Sequence, residues 1–190
     1  MKSPILIALT LLALGLGARA AEMEGSFTAT LKARATGHSF EGAVTSETFM
    51  VTLAEKDAKT IASFTATAKM ANLTTFKKKR DKEMREHFKA EDNPDITGKV
   101  TDFPLDTLAA ATEEKPVMLP FELGFAGGKV KMEAAVTSYK KADDGQIDFD
   151  TAFTVSQEAC GCEPISMALV MSVKDEVPVL AHFTFKPAKP

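Results

Sequence analysis

Apolar and polar residues alternate along most of the chain, and this pattern constrains the fold more than any other feature. Between residues 26 and 35, every second residue is Phe, Ala or Leu, and the residues between them are Ser, Thr, Lys or Arg. Successive side chains of a β-strand point to opposite faces, so the segment is predicted to be a strand with one apolar and one solvated face. The same alternation recurs in the segments 49–53, 64–70, 117–125, 130–136, 147–155, 165–173 and 177–185.

Short polar or glycine-rich stretches separate these segments, at residues 55–57, 127–128, 143–145 and 174–176. Strands that are solvated on one side and joined by short turns are typical of an antiparallel meander. About eight such strands in one domain predict an all-β fold, either a closed barrel or a two-sheet sandwich. An outer-membrane barrel does not fit, because it needs girdles of aromatic residues at both interfaces, and the chain has one Tyr and no Trp.

One segment, from Phe76 to Ala90, has helical rather than strand periodicity. Phe76, Met84 and Phe88 are spaced by multiples of four, and Arg80 takes the remaining place on the same stripe. This spacing predicts a short amphipathic helix. The rest of the chain shows no repeat or linker that would divide it, so a single β domain with one helix is expected.

The other face of this helix is strongly charged. It carries Lys77, Lys78, Lys79, Lys82 and Arg85 together with Asp81, Glu83 and Glu86. One interpretation is a surface that binds anionic lipid or phosphate. The favoured one is a solvated face with ion pairs between residues four apart, such as Lys77–Asp81 and Lys79–Glu83. Asn72 or Thr74 is expected to cap the helix.

The first twenty residues are expected to be a signal peptide rather than part of the domain. Lys2 is followed by a thirteen-residue run, 5–17, of mostly Ile, Leu, Ala and Gly, and then by Ala18-Arg19-Ala20. The run is shorter than the ~20 residues that span a bilayer, which disfavours the alternative of a retained anchor. Cleavage after Ala20 would leave a soluble, exported domain of residues 21–190.

Composition and motifs exclude several classes of function. The formal net charge of −3 disfavours a nucleic-acid-binding protein, since such domains are strongly basic. The histidines, His38, His87 and His182, have no metal-ligand spacing, and no nucleophile or phosphate-binding motif is present. The sequence therefore predicts neither an enzyme nor a resident metal or cofactor.

Three stretches resemble the YceI-like family. They are Met-Ala-Asn-Leu-Thr-Thr at 70–75, the Arg-Asp-x-x-Met helix ending in Phe at 80–88, and Asn-Pro-Asp-Ile at 93–96. Leu123-Gly124 and Gly128-Lys129-Val130 are similar to the family's later hairpin. The resemblance implies a lipocalin-like antiparallel β-barrel, exported to the periplasm, that holds a long isoprenoid chain in its lumen. The chain departs from the family before the helix, where Phe76-Lys77-Lys78 replaces a Thr-Gly-type turn.

The residues of the predicted apolar faces suit such a lumen. The small residues Ala29, Ala33, Ala66, Ala68, Ala134 and Ala181 would leave volume inside an eight-stranded barrel, and Phe and Met would give adaptable walls. The hypothesis is a carrier or sequestering protein for a polyisoprenoid or similar amphiphile. A homodimer is compatible with this function. The candidate wall residues are Phe27, Leu31, Phe49, Phe64, Met70, Met84, Phe88, Phe121, Leu123, Met132, Phe149, Phe153, Met167, Met171 and Phe183. The alternative is a structural or partner-binding β-domain whose interior is filled by these same residues.

The two cysteines stand close together in Cys160-Gly161-Cys162. In an oxidising compartment such a pair is expected to form a small, readily reduced disulfide, here in an exposed loop and without a metal. A redox-active pair, an intermolecular bridge and a Cu(I) site remain as alternatives.

Overall fold

The structure is a computed structural model that describes residues 21–167 and 171–188, with the backbone alone at Ser166, Met167 and Met171. The predicted signal peptide and its cleavage site lie outside the described residues. The strands are β1 Ala21–Ala35, β2 His38–Thr45, β3 Phe49–Lys56, β4 Lys59–Lys69, β5 Asp95–Pro104, β6 Val117–Phe125, β7 Gly128–Lys141, β8 Ile147–Ser156, β9 Ser166–Met167, β10 Met171–Ser172 and β11 Glu176–Pro187. The helix α1 spans Lys78–His87, and short 3₁₀ turns span Met70–Asn72 and Leu105–Ala110.

The strands form a closed antiparallel β-barrel. Nine strands hydrogen-bond in the order β11-β8-β7-β6-β5-β4-β3-β1-β2, and β11 also pairs with β1, which closes the ring. β2 is not one of the eight strands of the ring, because it pairs with the same edge of β1 as β3 does. Ala21–Gly25 of β1 pairs with β3, and Thr28–Ala35 pairs with β2. The predicted fold class, an all-β barrel of about eight strands with one short helix, is confirmed.

Three strand predictions need correction. The predicted strand 165–173 is wrong where the structure describes it, since β9 and β10 form a separate two-stranded sheet, which an isolated bridge between Ala35 and Val173 links to the end of β1. The alternation did not predict β2, because Gly42 interrupts its series of large apolar residues. It also overlooked β5, because a β-bulge places two residues of β5 opposite Ser63 and shifts the apolar positions out of phase. Asp102 in this bulge has a φ of 50°, and its N–H donates to the Ser63 hydroxyl at 2.9 Å.

The helix is shorter than the predicted 76–90, and its start differs from the prediction. Met84 and Phe88 are buried on the predicted apolar stripe, whereas Phe76 is 65% exposed and lies before the helix with a φ of 61°. Lys77 is the N-cap residue and no side chain caps the helix, so neither Asn72 nor Thr74 has the predicted role. Thr74 instead accepts a hydrogen bond from the Phe76 N–H at 3.0 Å.

The charged face of α1 matches the prediction only in part. Lys79 lies 4.0 Å from Glu83, as expected for residues four apart. The predicted Lys77–Asp81 pair is wrong, because Asp81 is buried and accepts hydrogen bonds from Thr74 and Thr75. Sequence spacing places these two residues on one helix, but Lys77 is still extended and precedes the first helical turn.

The barrel interior has a lower part and an upper part. The upper end is where β1 ends at Ala35 and where α1 connects β4 to β5; the lower end is where β3 turns into β4. In the lower part Phe49, Phe64, Phe149 and Phe185 pack with ring centroids 5.2–6.2 Å apart, and Leu105 and Leu108 of the second 3₁₀ turn join this cluster. Such aromatic pairs contribute about 0.5–1.5 kcal/mol each beyond the burial of their area.

The upper part is bounded by a second, smaller cluster, which includes Met70, Leu73, Met84 and Phe88. These residues come from α1, from the segment before it and from Phe88 directly after it, so the helix packs over the upper end of the barrel. No helix among the described residues is long and apolar enough to cross a membrane.

Candidate ligand-binding cavity

A cavity of ≈ 350 Å³ occupies the upper part of the barrel. Its volume lies within the range of about 300–1,000 Å³ that is usual for small-molecule sites. The upper halves of the barrel strands, β2 and the segment from Leu73 to Phe88 surround it. Most of the lining side chains are aliphatic or aromatic, which suits an apolar guest.

The cavity exists because side-chain size changes along the strands. At the lower end, β11 and β8 place Phe185 and Phe149 inside the barrel, where both are fully buried. Further up, Ala29 of β1 pairs with Ala181 of β11, which pairs with Thr151 of β8. This row of small residues lines the cavity and cannot fill the width of the barrel. The aromatic cluster therefore closes the cavity from below.

Many of the predicted wall residues do line this cavity. They are Phe27, Leu31, Phe64, Met84, Phe88, Phe121, Leu123, Phe153 and Phe183. Their side chains come from β1, β4, α1, β6, β8 and β11, so the alternation brought residues from distant segments onto one interior surface. The small residues Ala29, Ala33, Ala66, Ala134 and Ala181 also line it, as expected. Ala68 does not, because it is fully buried in the cluster that contains Met70 and Leu73.

Other predicted wall residues lie elsewhere. Phe49 and Phe149 belong to the lower aromatic cluster, because they pair with Gly25 of β1 and Tyr139 of β7, which lie near the lower ends of those strands. Met70 is fully buried in the 3₁₀ turn after β4, where its N–H donates to the Pro94 carbonyl at 2.7 Å. Met132 is half-buried on β7 and is not among the lining residues. The side chains of Met167 and Met171 lie outside the described part of the chain.

Arg80 is a lining residue that was not among the candidates. Its guanidinium carbon lies 3.9 Å from the centroid of the Phe40 ring. Its Nε donates to the Thr75 hydroxyl at 2.8 Å, and Nη2 donates to the Thr75 carbonyl at 2.6 Å. An arginine on the apolar stripe of a helix was the available signal, since a charge in that position needs a local partner.

Asp81 holds the segment that positions Arg80. Its carboxylate accepts hydrogen bonds from the Thr75 N–H at 2.6 Å and from the Thr74 hydroxyl at 2.9 Å, and also from the Thr75 hydroxyl. Burial alone would raise the pKa of Asp81, but these hydrogen bonds outweigh it and hold the pKa below its usual range. The ionised carboxylate thus ties the chain before the helix to the first turn of α1.

The cavity opens at the upper end, between the β1–β2 turn and α1. His38, exposed at the start of β2, and the half-buried Glu83 of α1 are among the lining residues there. Arg80 adds a charged group there, whereas the lining residues Thr75 and Gln157 are buried and hydrogen-bonded within the protein. The site therefore combines an apolar interior with a polar mouth, an arrangement that suits an amphiphile whose chain is inside and whose head group is at the opening.

The cysteine loop is also at the upper end, but it differs from the prediction. Both cysteines are free thiols in the structure, so the expected Cys160–Cys162 bridge is not formed in it. Cys160 is 2% exposed rather than in an exposed position, since its backbone packs against Gly128 of β7, while Cys162 joins the apolar cluster around Phe88. Burial raises the pKa of both thiols, which keeps them protonated at neutral pH.

The described residues also bear on the metal alternative for this loop. Within 21–167 and 171–188, no three or more His, Cys, Asp or Glu side chains are grouped so that they could hold a metal ion. His87 lies close to the loop, but its Nε2 is 2.7 Å from the Glu163 carbonyl. The histidine thus fastens the end of α1 to the cysteine loop.

Several solved structures share this architecture. Burkholderia cenocepacia BcnA has a TM-score of 0.61 and 15% identity, over 83% of this chain and 95% of that one. A polyisoprenoid-binding domain from Saccharophagus degradans, implicated in plant cell wall breakdown, has a TM-score of 0.56 and 10% identity. The match covers 90% of this chain and 100% of that one. A Campylobacter jejuni YCEI protein has a TM-score of 0.50 and 17% identity, and the match covers 74% of this chain and 81% of that one.

At these identities the solved structures establish a shared fold. No curated protein sequence matches the chain significantly. The model of the YceI-like domain matches residues 19–185, which include every strand of the barrel except the last residues of β11. With this match over almost the whole described barrel, the chain belongs to the YceI-like family.

Proposed function

We propose that the protein binds a polyisoprenoid or similar amphiphilic lipid in the upper cavity and acts, after export to the periplasm, as a carrier or sequestering protein. The observation that carries the proposal is the apolar cavity of ≈ 350 Å³ with a polar mouth. Each buried CH₂-sized group of a lipid chain contributes about 0.8 kcal/mol before losses for ordering. A chain of isoprene units offers many such groups and needs few polar contacts.

The family membership and one structural relative support this ligand class. The Saccharophagus degradans domain, which shares the fold, is described as polyisoprenoid-binding. Export is supported by the sequence of residues 1–20, with its apolar run and its Ala-Arg-Ala cleavage motif. Binding and sequestering need no reactive group, in agreement with the absence of a catalytic motif from the sequence.

The alternative of a structural or partner-binding β-domain predicts an interior filled by interdigitated side chains. The lower aromatic cluster meets that description, but the upper part does not, because its small residues leave the cavity open. The cavity therefore favours a binding protein over a purely structural domain. It does so without reference to the relatives.

The direct test is solvent extraction of protein purified from the periplasm of a bacterium that expresses the chain with residues 1–20. Mass spectrometry of the protein is expected to give an N-terminus at Ala21, and the extract is expected to contain a long-chain lipid in a near-stoichiometric amount. A folded protein that carries no lipid, and that takes up none when a polyprenol is offered, would contradict the proposal.

A matched pair of variants separates cavity binding from lipid carried on the outside. Ala66→Phe places a ring in the cavity, whereas Ala54→Phe places the same ring on the exposed face of β3. Extracts of Ala66→Phe should contain much less lipid than those of Ala54→Phe, provided that circular dichroism shows both to be folded. Equal amounts of lipid would place the lipid outside the barrel.

A further inference from the structure

The most unusual exposed residue of the barrel's upper end is Phe76. It is 65% exposed, more than any other large apolar side chain among the described residues. Its φ of 61° places a bulky aromatic residue in the left-handed region, which few non-glycine residues adopt. Packing in the barrel does not require this ring, because no buried cluster includes it.

Four lysines follow this ring closely in sequence. Lys77, Lys78, Lys79 and Lys82 are all exposed, and together with Phe76 they are called here the Phe76–lysine surface. Lys79 lies 4.0 Å from Glu83, and Lys82 lies 3.6 Å from Glu86. In the part of the chain that the structure describes, Lys77 and Lys78 form no ion pair.

The charge of this surface is opposite to that of the whole chain. Residues 76–86 contain Lys77, Lys78, Lys79, Arg80, Lys82 and Arg85 against Asp81, Glu83 and Glu86, which gives a net charge of +3. The whole chain has a formal net charge of −3. Positive charge is thus concentrated on one part of an otherwise acidic protein, where it complements an anionic surface.

The Phe76–lysine surface lies beside the mouth of the cavity. Thr75, directly before Phe76, lines the cavity, and so do Arg80 and Glu83 of the first turns of α1. Asp81 fixes this geometry through its hydrogen bonds to Thr74 and Thr75. Any flat partner that contacts Phe76 and Lys77 is therefore brought next to the opening of the cavity.

We propose that the Phe76–lysine surface docks on an anionic lipid bilayer, with the Phe76 ring inserted among the head groups and the cavity mouth turned towards the membrane. An exposed aromatic side chain next to a run of lysines is the composition that favours the bilayer interface. This inference goes beyond lipid binding in the cavity, because docking needs neither a bound ligand nor an empty cavity. A bilayer source for an extracted lipid would follow from it.

A single-tryptophan reporter tests insertion directly, because the chain has no Trp. Phe76→Trp in the processed periplasmic protein is expected to show a blue-shifted, stronger emission with vesicles of phosphatidylglycerol and phosphatidylcholine, and no change with phosphatidylcholine alone. The matched control is Leu180→Trp on β11, at a position that is 62% exposed, and its emission should not change. Unchanged emission of Phe76→Trp on vesicles that the protein binds would overturn the proposal.

Vesicle co-sedimentation tests whether the lysines of the Phe76–lysine surface contribute to bilayer binding. Each lysine near an anionic surface contributes enough to change affinity about fivefold, so Lys77→Gln combined with Lys78→Gln is expected to weaken binding about 25-fold. The control pair, Lys56→Gln and Lys59→Gln, makes the same charge change at the lower end of the barrel and should leave binding nearly unchanged. Equal weakening by the two pairs, or no binding of the wild type, would overturn the proposal.

A Phe76→Ser variant completes the design. It is expected to bind anionic vesicles at least about tenfold more weakly than the wild type, because the apolar ring is lost. If the lysine changes abolish binding while Phe76→Ser has no effect, the surface is purely electrostatic, as for an acidic protein partner, and insertion is refuted. Lipid extraction from these variants reports separately on the cavity, so failure of docking and failure of ligand binding give different results.

Discussion

Replacing Ala134 by leucine measures how empty the upper cavity is. Ala134 lies on β7, is 3% exposed and lines the cavity. The substitution adds three carbon atoms. If they enter free space, their burial stabilises the ligand-free protein by at most about 2.4 kcal/mol, at about 0.8 kcal/mol for each CH₂-sized group. If the interior there were already filled, overpacking would instead destabilise it by about 1–3 kcal/mol.

The same three carbons displace part of a bound lipid chain. The ligand then loses burial of similar size, and its dissociation constant is expected to rise about 50-fold. Urea unfolding of delipidated protein gives the first quantity, and titration with a fluorescent geranylgeranyl alcohol gives the second. Ala54→Leu, at an exposed position on β3, is the control that should change neither.

The two measurements together are decisive because a packed core and a binding cavity give opposite results. A less stable ligand-free Ala134→Leu protein would show that the space is already occupied. An unchanged affinity for the probe would show that the probe binds elsewhere. Either result would refute the assignment of this cavity as the binding site.

Three further predictions concern the barrel's upper end. Gly128→Ala should destabilise the protein by about 1–3 kcal/mol in urea unfolding, because a Cβ there would lie 1.9 Å from the Cys160 carbonyl oxygen, whereas Gly98→Ala would meet nothing closer than 3.9 Å. Hydrogen bonds hold the pKa of Asp81 below its usual range, so its stabilisation is complete above an unfolded-state pKa of about 3.9 and is lost as pH falls through the lower folded-state value. Asp81→Asn should therefore lose less stability on acidification than the wild type. In reduced native protein, the half-buried Cys162 should react with a thiol reagent before the buried Cys160.

Each of these predictions has a clear contrary result. Equal stability of Gly128→Ala and Gly98→Ala would mean that the cysteine loop does not lie against β7. Parallel acid unfolding curves for the wild type and Asp81→Asn would mean that the carboxylate has no lowered pKa in the fold. Faster reaction at Cys160 would contradict its burial.

The barrel was predictable from sequence because its strands are solvated on one face. The alternation in β1, with Phe27 and Leu31 on the inside, is imposed by water outside and apolar contacts inside. The same rule failed at β5, where the bulge at Asp102 shifts the phase of the pattern by one residue. The sequence does not identify this phase shift as a bulge, because the hydrogen bond that stabilises it comes from Ser63 on another strand.

The site was predictable in part. Alternation identifies which residues face inwards but not how far along the barrel axis they lie, so Phe49 and Phe149 were grouped with Phe153, although the first two fill the lower part. Their height depends on the register between strands, which is a long-range property. Phe76 shows the complementary failure, because helical spacing assigned it to the apolar face, and only the backbone before Lys78 turns it outwards.

The separation of the interior into a packed lower part and an open upper part has a consequence for how such barrels diverge. The lower aromatic cluster is centred on Phe49, Phe149 and Phe185, none of which lines the cavity. Substitutions among Ala29, Ala134 and Ala181 can therefore reshape the space available to a guest while the lower cluster keeps the barrel folded. A protein built in this way can change the shape of its cavity at little risk to its folding, and the sequence of such a barrel can diverge to 10–17% identity while the fold is kept.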